Sequence, residues 1–414
     1  MALHPNLLGS NYSSVKSHNL TAIMLMLLRH EQISRVRLAE LSGLSTTTIT
    51  NLISELLVQG IVVEEGVEEP TRRRGAGRPR TALRLVPEAR HAVGIHIGVG
   101  NVRVGVADLR ARLVSRLSLA HPLESSPEKV LTETAELVAE AIAQAEINTQ
   151  NVIGIGVGAS GLVNPYTGIN VVAPNLGWRD VPIQDLLANR LGLPVCVDNN
   201  VRAMALGESL FGVGKGVHTL AFVYARIGVG AGFVVDGRLY RGGGAGAGEI
   251  GHTTIIPAGG IPCRCGNTGC LETLVSEPAI VRLAQDLASQ DRGGTLVAYL
   301  QDGEGTIIER IFAAARAGDV ATCAMLNERA GYMGIALANL VNTFNPDLII
   351  LGGILAQGQD LLLPDIESTM RQRAFAGLGE KVRLQTTGFG WRAGLVGAAS
   401  LALTTFFYHQ PEGI

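Results

Sequence analysis

The chain has 414 residues, and at roughly 100–200 residues per domain this length predicts two or three domains. Hydrophobic residues make up 47% of the sequence and charged residues 17%, which supplies a sizeable core and excludes a chain that is disordered throughout. The formal net charge of −2 excludes a protein that is basic along its whole length.

Charge is unevenly distributed along the sequence. Residues 1–90 hold 11 Lys and Arg against 8 Asp and Glu, a net charge of +3, whereas the remainder holds 23 against 28, a net charge of −5. One stretch without acidic residues carries six arginines, which are Arg72, Arg73, Arg74, Arg78, Arg80 and Arg84. We therefore expect an N-terminal module with a basic edge at residues 1–88 and a larger acidic module at residues 89–414.

Three helices are predicted in the N-terminal module. Apolar residues from Leu20 to Leu28 follow the i, i+3, i+4, i+7, i+8 spacing of one helix face. The apolar run at residues 22–28 is far shorter than a membrane span, and it lacks the basic leader and cleavage site of a signal peptide. Serines are expected to cap the second and third helices and glycines to end them: Ser34 with Gly43, and Ser45 with Gly60.

A β-hairpin is predicted after these helices, from strands at residues 61–65 and 81–86 that enclose the arginine-rich loop. Helices joined by a short turn and followed by a basic hairpin are typical of a winged helix-turn-helix. Hydroxyls and amides suit base edges and phosphates, and an extended arginine suits the minor groove. The alternative is a solvated helix face beside a charged linker. The candidate DNA-binding residues are Ser45, Thr46, Thr47, Thr48, Thr50, Asn51, Arg78 and Arg80.

The C-terminal module contains two similar strand–turn–strand units about 125 residues apart. The first runs from residue 93 to 108 and the second from residue 220 to 237, and each has a glycine-containing turn between its strands. Helices are predicted near residues 127–145 and 277–288, and a last strand at 348–351. The repetition predicts a duplicated α/β domain with a cleft between its halves. Glycine turns that face a cleft can bind phosphates or sugars, although most only permit tight hairpins.

A compact set of metal-binding residue types lies near residues 252–270. Cys263, Cys265 and Cys270 form a C-x-C-x4-C pattern, and His252 lies eleven positions before its first cysteine. Three thiolates and one imidazole complete a closed tetrahedral site of the kind that holds structural Zn2+. The alternative is three reduced, unligated cysteines. Five cysteines in so long a chain predict a cytoplasmic protein rather than a secreted disulfide scaffold.

These motifs together resemble the signature of the ROK family (repressors, open reading frames, kinases). The resemblance is carried by Gly248-Glu249-Ile250-Gly251-His252 and by the cysteine segment through Glu272. With the N-terminal winged helix, the chain is similar to the sugar-responsive, xylose-repressor-like branch of that family. The resemblance implies an α/β fold with two RNase-H-like lobes of the actin and sugar-kinase type, with sugar bound between them.

The resemblance also implies which residues contact the sugar. Asn175 lies in the segment whose asparagine bonds a sugar hydroxyl, and Asn199 and Asn200 lie where the family normally has Asn-Asp. Glu249, His252 and Glu272 match the remaining sugar contacts. Amides and carboxylates supply the paired donors and acceptors that sugar hydroxyls require. Taken alone, Asn175 after Pro174 is more typical of a turn.

The chain departs from the family's kinases at two acidic positions. The acid that accepts the proton of the sugar hydroxyl is replaced by Asn200, and an amide cannot act as that base. The first phosphate turn begins with His96 where the kinases have aspartate, and the second reads Arg226-Ile227-Gly228 instead of Gly-Thr-Gly. Asp198 could replace the lost base only if this segment were shifted in register. We therefore expect phosphoryl transfer to be lost.

The sequence thus predicts a DNA-binding transcriptional regulator, a repressor in the simplest case, that is not an enzyme and is controlled by a sugar effector. Its expected partners are a DNA operator, the sugar and further copies of itself in a homodimer or homotetramer, with no membrane. One alternative is a ROK kinase that phosphorylates a hexose with ATP and carries an appended DNA-binding module. Another is a regulator that responds to a protein partner or to zinc.

Overall fold

The computed structural model of the protein describes residues 12–67, 80–290 and 294–409. Its helices are α1 Tyr12–Arg29, α2 Arg35–Ser42, α3 Thr46–Val58, α4 Pro127–Gln144, α5 Ile183–Leu191, α6 Asn200–Phe211, α7 Glu272–Val275, α8 Glu277–Gln290, α9 Thr295–Asp302, α10 Ile307–Arg316, α11 Val320–Phe344, α12 Ile354–Gln357, α13 Gln359–Arg373, α14 Leu378–Lys381 and α15 Ala393–Leu403. Its strands are β1 Ile33–Ser34, β2 Val62–Val67, β3 Thr81–Leu85, β4 His91–Gly98, β5 Asn101–Asp108, β6 Leu113–Ala120, β7 Val152–Ala159, β8 Leu162–Asn164, β9 Ile169–Ala173, β10 Trp178–Pro182, β11 Val195–Asn199, β12 Thr219–Ala225, β13 Val229–Val235, β14 Arg238–Tyr240, β15 Leu348–Gly353 and β16 Arg383–Thr386.

The N-terminal module begins with three helices whose predicted caps are confirmed. Ser34 Oγ accepts a hydrogen bond from the Arg37 N–H at 3.2 Å where α2 begins, and α2 ends at Gly43. Ser45 Oγ accepts from the Thr48 N–H at 3.1 Å where α3 begins. The β2–β3 hairpin follows, and β1 joins it in a sheet of order β1-β3-β2. The predicted winged helix-turn-helix is therefore present. The short β1 was not predicted, because two residues carry no alternating pattern.

The first lobe of the C-terminal module is a five-stranded sheet of order β11-β7-β4-β5-β6. β4, β5 and β6 are antiparallel neighbours, while β7 and β11 lie parallel to β4. Every residue of β4 is buried, as expected of a strand covered on both faces. Between β7 and β11 the chain forms a small antiparallel sheet of order β10-β9-β8 and then α5.

The second lobe repeats this topology in a sheet of order β14-β13-β12-β15-β16. Here β12, β13 and β14 are antiparallel neighbours, and β15 and β16 lie parallel to β12. Each lobe therefore has three antiparallel strands followed by two parallel ones, and the predicted duplication is confirmed. The long connection from β14 to β15 carries the cysteine segment and α7 to α11.

The last helix of each unit packs on the sheet of the other lobe. α6 contacts β12 and β13, while α15 contacts β4 and β7, and the two helices contact each other. Glycines allow these close approaches. A Cβ added to Gly156 of β7 would overlap the carbonyl oxygen of Ala398, and one added to Gly397 would lie 2.6 Å from the Ala203 carbonyl carbon. The two helices therefore join the lobes at the base of the cleft.

The N-terminal module shares a hydrophobic core with the end of the chain. Buried residues of α1 to α3 pack in one cluster with Val396 and Leu403 of α15 and with Phe407 and Tyr408. The Tyr408 hydroxyl donates to the Leu109 carbonyl oxygen. No helix in the described part of the chain has the length and apolar composition needed to span a bilayer.

Candidate functional site

A cleft of about 170 Å³ opens between the two lobes. It is bordered by the end of β4, the start of α6, the β12–β13 turn and the cysteine segment. The six residues predicted to bind sugar all line it: Asn175, Asn199, Asn200, Glu249, His252 and Glu272. Their role toward a sugar stays a prediction, but residues up to about a hundred positions apart have been brought to one cavity.

Besides the metal-loop cysteine Cys265, six further polar side chains line the cleft and were not among the predicted sugar contacts: His96, Asn101, Ser160, Tyr224, Arg226 and Arg264. Ser160 could not have been found from sequence, because it carries no motif and reaches Asn200 only through the β7–α6 contact. The position of Arg264 near the cleft could have been predicted, since it lies between two cysteines of the predicted metal loop.

Asn199 and Asn200 are held at the start of α6. Asn199 Oδ1 accepts from the N–H groups of Val201 and Arg202, so this side chain is the N-cap of the helix. Asn200 Nδ2 donates to Ser160 Oγ at 3.2 Å. Both amides are therefore oriented by the protein before any ligand binds. The helix start also directs positive partial charge toward the cleft.

Asp198 belongs to a buried ion-pair network with Arg202 and Arg241. It is 1% exposed, its Oδ1 accepts from Arg202 Nε at 2.7 Å, and its Oδ2 accepts from Arg241 Nε at 2.8 Å. Arg202 is also 1% exposed and donates further to two backbone carbonyls. Asp198 does not line the cleft. The shift in register that would let it act as a base is therefore absent, and the carboxylate serves to fix α6.

His96 places a buried imidazole near the end of β4. The ring is 4% exposed, and Arg103 Nη2 lies 3.3 Å from its Nδ1. A guanidinium can only donate, so Nδ1 accepts and the ring proton lies on Nε2, which has no partner among the described residues. Burial, with the positive charges of Arg103 and Arg226, lowers the pKa of His96 to about 3. At the end of β4 the cleft therefore presents a neutral ring with an N–H donor rather than a carboxylate that could hold Mg2+.

The four predicted metal ligands converge on one point. One ligand atom from each of His252, Cys263, Cys265 and Cys270 lies within 4.8 Å of the others. Cys265 Sγ and Cys270 Sγ are 3.8 Å apart, and Cys263 Sγ is 3.6 Å from His252 Nδ1. A tetrahedral site with Zn–S bonds of about 2.3 Å has sulfur–sulfur edges of about 3.8 Å. The donor set therefore has the size and chemistry of a metal centre.

The thiol pKa values differ because the cysteines occupy different surroundings. Burial raises the pKa of Cys270 to about 12. A hydrogen bond from the backbone N–H of Asn267 is the largest of the effects that lower the pKa of Cys265. A metal ion must displace these protons to bind thiolates.

The metal loop, residues 252–272, also supplies part of the cleft wall. His252 belongs to both sites, Glu272 follows Cys270, and Glu272 Oε2 accepts from the Val229 N–H at 2.9 Å. Desolvation by the cleft walls raises the pKa of the Glu249 carboxyl, while His252 acts in the opposite direction. A metal bound in this loop would fix four cleft residues together: His252, Arg264, Cys265 and Glu272.

The candidate DNA-binding residues lie on an accessible face of α3. Thr46, Thr47, Thr50 and Asn51 are exposed, whereas the hydroxyls of Ser45 and Thr48 bond each other at 2.9 Å. The Ser45 hydroxyl therefore caps the start of α3. Arg80 is half exposed at the base of the hairpin, 4.0 Å from Glu40, and Arg78 lies outside the described residues.

Two lobes of this topology around a cleft define the actin and sugar-kinase class of fold, here preceded by a winged helix-turn-helix. Within that class the chain belongs to the ROK family, whose sequence profile matches residues 92–405. Its length and modules are those of the family's transcriptional regulators.

Two regulators match nearly the whole chain. The putative xylose repressor of Caldicellulosiruptor sp. (strain Rt8B.4) is 32% identical over 95% of this chain and 97% of its own. The crystal structure of a ROK family transcriptional regulator, a homologue of the E. coli MLC protein, superposes with a TM-score of 0.82 at 28% identity, covering 96% of this chain and 98% of the other.

A kinase of the family matches a smaller part of the chain. The ROK family glucokinase from Streptomyces griseus, solved with glucose and AMPPNP, gives a TM-score of 0.67 at 32% identity and covers 76% of this chain and 100% of its own.

Proposed function

We propose that the protein is a DNA-binding transcriptional repressor whose interlobe cleft binds a sugar effector without phosphorylating it. One observation carries this proposal: the phosphotransfer end of the cleft holds His96 and Asn200, and the nearby Asp198 is bound to two arginines. A kinase needs a base at the sugar hydroxyl and a metal anchor at the phosphates. The likeness to regulators over the whole chain, winged helix included, supports the same function.

The cleft residues have complementary roles toward a sugar. Asn175, Asn199 and Asn200 supply amide donors and acceptors, and Glu249 and Glu272 supply acceptors for hydroxyl protons. The ligand would contact both lobes, because Asn175 belongs to the first and Glu249 to the second. Sugar binding therefore favours one relative position of the lobes.

The route from the cleft to the DNA runs through α6 and α15, each of which packs on the sheet of the other lobe. Asn199 and Asn200 begin α6, α6 packs on α15, and α15 shares a core with α1 to α3. A change in lobe position moves this assembly and with it the N-terminal module. Coupling requires the sugar to prefer one of the two states, and a factor of about 5–150 in affinity is typical. We place the boundary between the modules at residues 88–89, in the 3-10 turn Pro87–Ala89 between β3 and β4.

We further propose that the Cys3His cluster binds structural Zn2+. All four ligand positions are filled by the protein, so the ion organises the metal loop and leaves no position for water. The protein is proposed to act as a homodimer or homotetramer, which presents two winged helices to a near-palindromic operator.

The test combines sugar binding with DNA binding. DNA sites are first selected from a random-sequence pool by the full-length protein, and pentoses, hexoses and amino sugars are screened by thermal shift. A sugar that raises Tm should weaken binding to the selected DNA by about tenfold. Glu249→Ala should lose both responses, while the exposed Glu304→Ala in the second lobe keeps them. A sugar that binds the cleft and leaves DNA affinity unchanged contradicts the proposal.

A separate assay addresses the kinase alternative. The purified protein, incubated with ATP, Mg2+ and the same sugars, is expected to form no ADP above background. Sugar-dependent ADP formation that Asn200→Ala abolishes would show that the cleft is catalytic.

A further inference from the structure

A second cavity, of about 310 Å³, lies where the N-terminal and C-terminal modules meet. It shares no lining residue with the cleft. Its walls come from α1, the β5–β6 turn, the end of α6 and the segment that leads into α15. The lining residues used below are Leu28, Arg110, Arg112, Phe211, Lys215, Phe389, Arg392 and Val396.

The charged residues of this cavity are all cations. Three guanidinium groups and one ammonium group line it, with no Asp or Glu among the lining residues. Within residues 12–67, 80–290 and 294–409, none of these four side chains forms an ion pair or a side-chain hydrogen bond. Four like charges around one cavity, without an acidic lining residue, favour the binding of an anion.

Asp108, two residues before Arg110, shapes the turn that carries two of these arginines. Asp108 is 3% exposed, and its Oδ1 accepts from the backbone N–H groups of Arg110 and Arg112 at 2.8 and 2.9 Å. Ala111 between them has φ +57, a left-handed conformation that disfavours a residue with a side chain. This buried carboxylate therefore holds a strained turn that places an arginine on each side, and its hydrogen-bonded oxygen is directed to the backbone.

The remaining wall is apolar. Leu28 and Val396 are buried, and Phe211 and Phe389 are half-buried. A guanidinium group can bind a phosphate through two parallel N–H···O hydrogen bonds. The aromatic and aliphatic side chains suit the apolar part of a ligand. We propose that this cavity is a second effector site, for a small organic phosphate that carries its phosphate on an apolar group.

The cavity lies between the two modules, so a ligand bound there affects their relative position. Leu28 belongs to the N-terminal module, whereas the arginines and the two phenylalanines belong to the C-terminal module. A ligand in the cavity contacts both, and it stabilises the relative position of the modules in which those contacts are made. The ligand would act on DNA binding from a site that shares no lining residue with the sugar cleft.

Thermal shift at fixed ionic strength tests the site with four probes: phenyl phosphate, benzoate, inorganic phosphate and benzyl alcohol. Phenyl phosphate should raise Tm most, and benzyl alcohol should leave it unchanged, because a ligand specific to the folded state stabilises it more, at equal concentration, the tighter it binds. Calorimetry of the full-length protein should give one phenyl phosphate per chain.

Variants connect the response to the cavity. The double variant Arg112→Gln/Arg392→Gln, at two exposed positions, should weaken phenyl phosphate binding at least tenfold. Arg179→Gln, at an exposed arginine of β10 outside both cavities, should leave binding unchanged. Glu249→Ala should also keep it, which separates this site from the sugar cleft.

Three results would overturn the proposal. The first is no Tm shift of the unsubstituted protein with phenyl phosphate, and the second is an equal shift in the double variant. The third is equal affinity for inorganic and phenyl phosphate, which would show that the apolar wall takes no part.

Discussion

Arg264 Nη1 donates a hydrogen bond to Asn175 Oδ1 at 3.0 Å across the mouth of the cleft. Arg264 lies on the metal loop of the second lobe, and Asn175 lies in the β9–β10 turn of the first. The bond therefore joins the lobes directly beside the proposed sugar contacts. It also orients the Asn175 amide so that its NH2 group stays available to a ligand.

Loss of this bond is expected to weaken sugar binding without affecting the metal. Arg264→Ala removes a charged hydrogen bond at an exposed position, worth about 1 kcal/mol, so the Kd for sugar should rise about fivefold. Calorimetric titration measures the Kd, and metal analysis should find the zinc content unchanged. Arg282→Ala, at an exposed arginine of α8, is the matched control. An unaltered Kd in Arg264→Ala would show that the bond does not organise the cleft.

Metal removal is expected to lower stability and sugar affinity together. Purified protein should contain one zinc per chain, and a chelator should lower Tm and abolish sugar binding, because His252 and Glu272 lose their fixed positions. The buried Cys270 thiol has its pKa raised to about 12, so zinc uptake should release protons and weaken as pH falls.

Cysteine variants provide the control for that experiment. Cys270→Ser should lose the metal, whereas Cys323→Ser in α11, outside the cluster, should keep it. Equal zinc content in both variants would show that the cluster is not the metal site.

Substitution of Asp198 is expected to destabilise the fold. Asp198→Asn keeps the shape of the side chain but leaves Arg202 buried without its counter-charge, which should cost about 3–5 kcal/mol. Urea denaturation measures this as a lower midpoint at similar m-value. Asp286→Asn, at an exposed aspartate of α8, should change stability by less than about 0.5 kcal/mol. If both variants unfold at the same urea concentration, the ion-pair network has no net stabilising role.

Stability is expected to decrease as the pH is lowered below about 6.5, partly because of His96. Its pKa is about 3 in the folded protein and about 6.5 when exposed, so between these values the unfolded state binds the proton and the folded state does not. This group therefore makes stability rise with pH from about 3 to 6.5, by up to about 1.4 kcal/mol per pH unit, with no further effect above that window.

The variant His96→Gln should flatten this part of the stability curve. Denaturation midpoints of both proteins at pH 4.5, 5.5, 6.5 and 7.5 provide the comparison. His218→Gln, at an exposed histidine paired with Asp236, is the control for a general effect of losing an imidazole. Parallel curves for the unsubstituted protein and His96→Gln would contradict the buried neutral ring.

The sequence by itself determined the features that depend on neighbours within a few residues. The caps at Ser34 and Ser45 and the strand–turn–strand repetition are local patterns that the structure confirms. The C-x-C-x4-C motif is also local, and the structure brings its cysteines together with His252, while metal binding stays a prediction. The family resemblance likewise predicted the replacement of two kinase acids, by His96 and Asn200, because a family motif has a fixed spacing.

Only the tertiary structure decided how those pieces act together. Asn175 and Arg264 are 89 positions apart, and Arg110 reaches the same cavity as Arg392, so no local pattern could join them. The sequence left the register of Asp198 open, and packing settled it by burying two arginines against the carboxylate. Side chains far apart in sequence meet only where the strand order of the sheets and the packing of α6 and α15 place them. Burial of the whole hydrophobic core determines that arrangement of strands and helices.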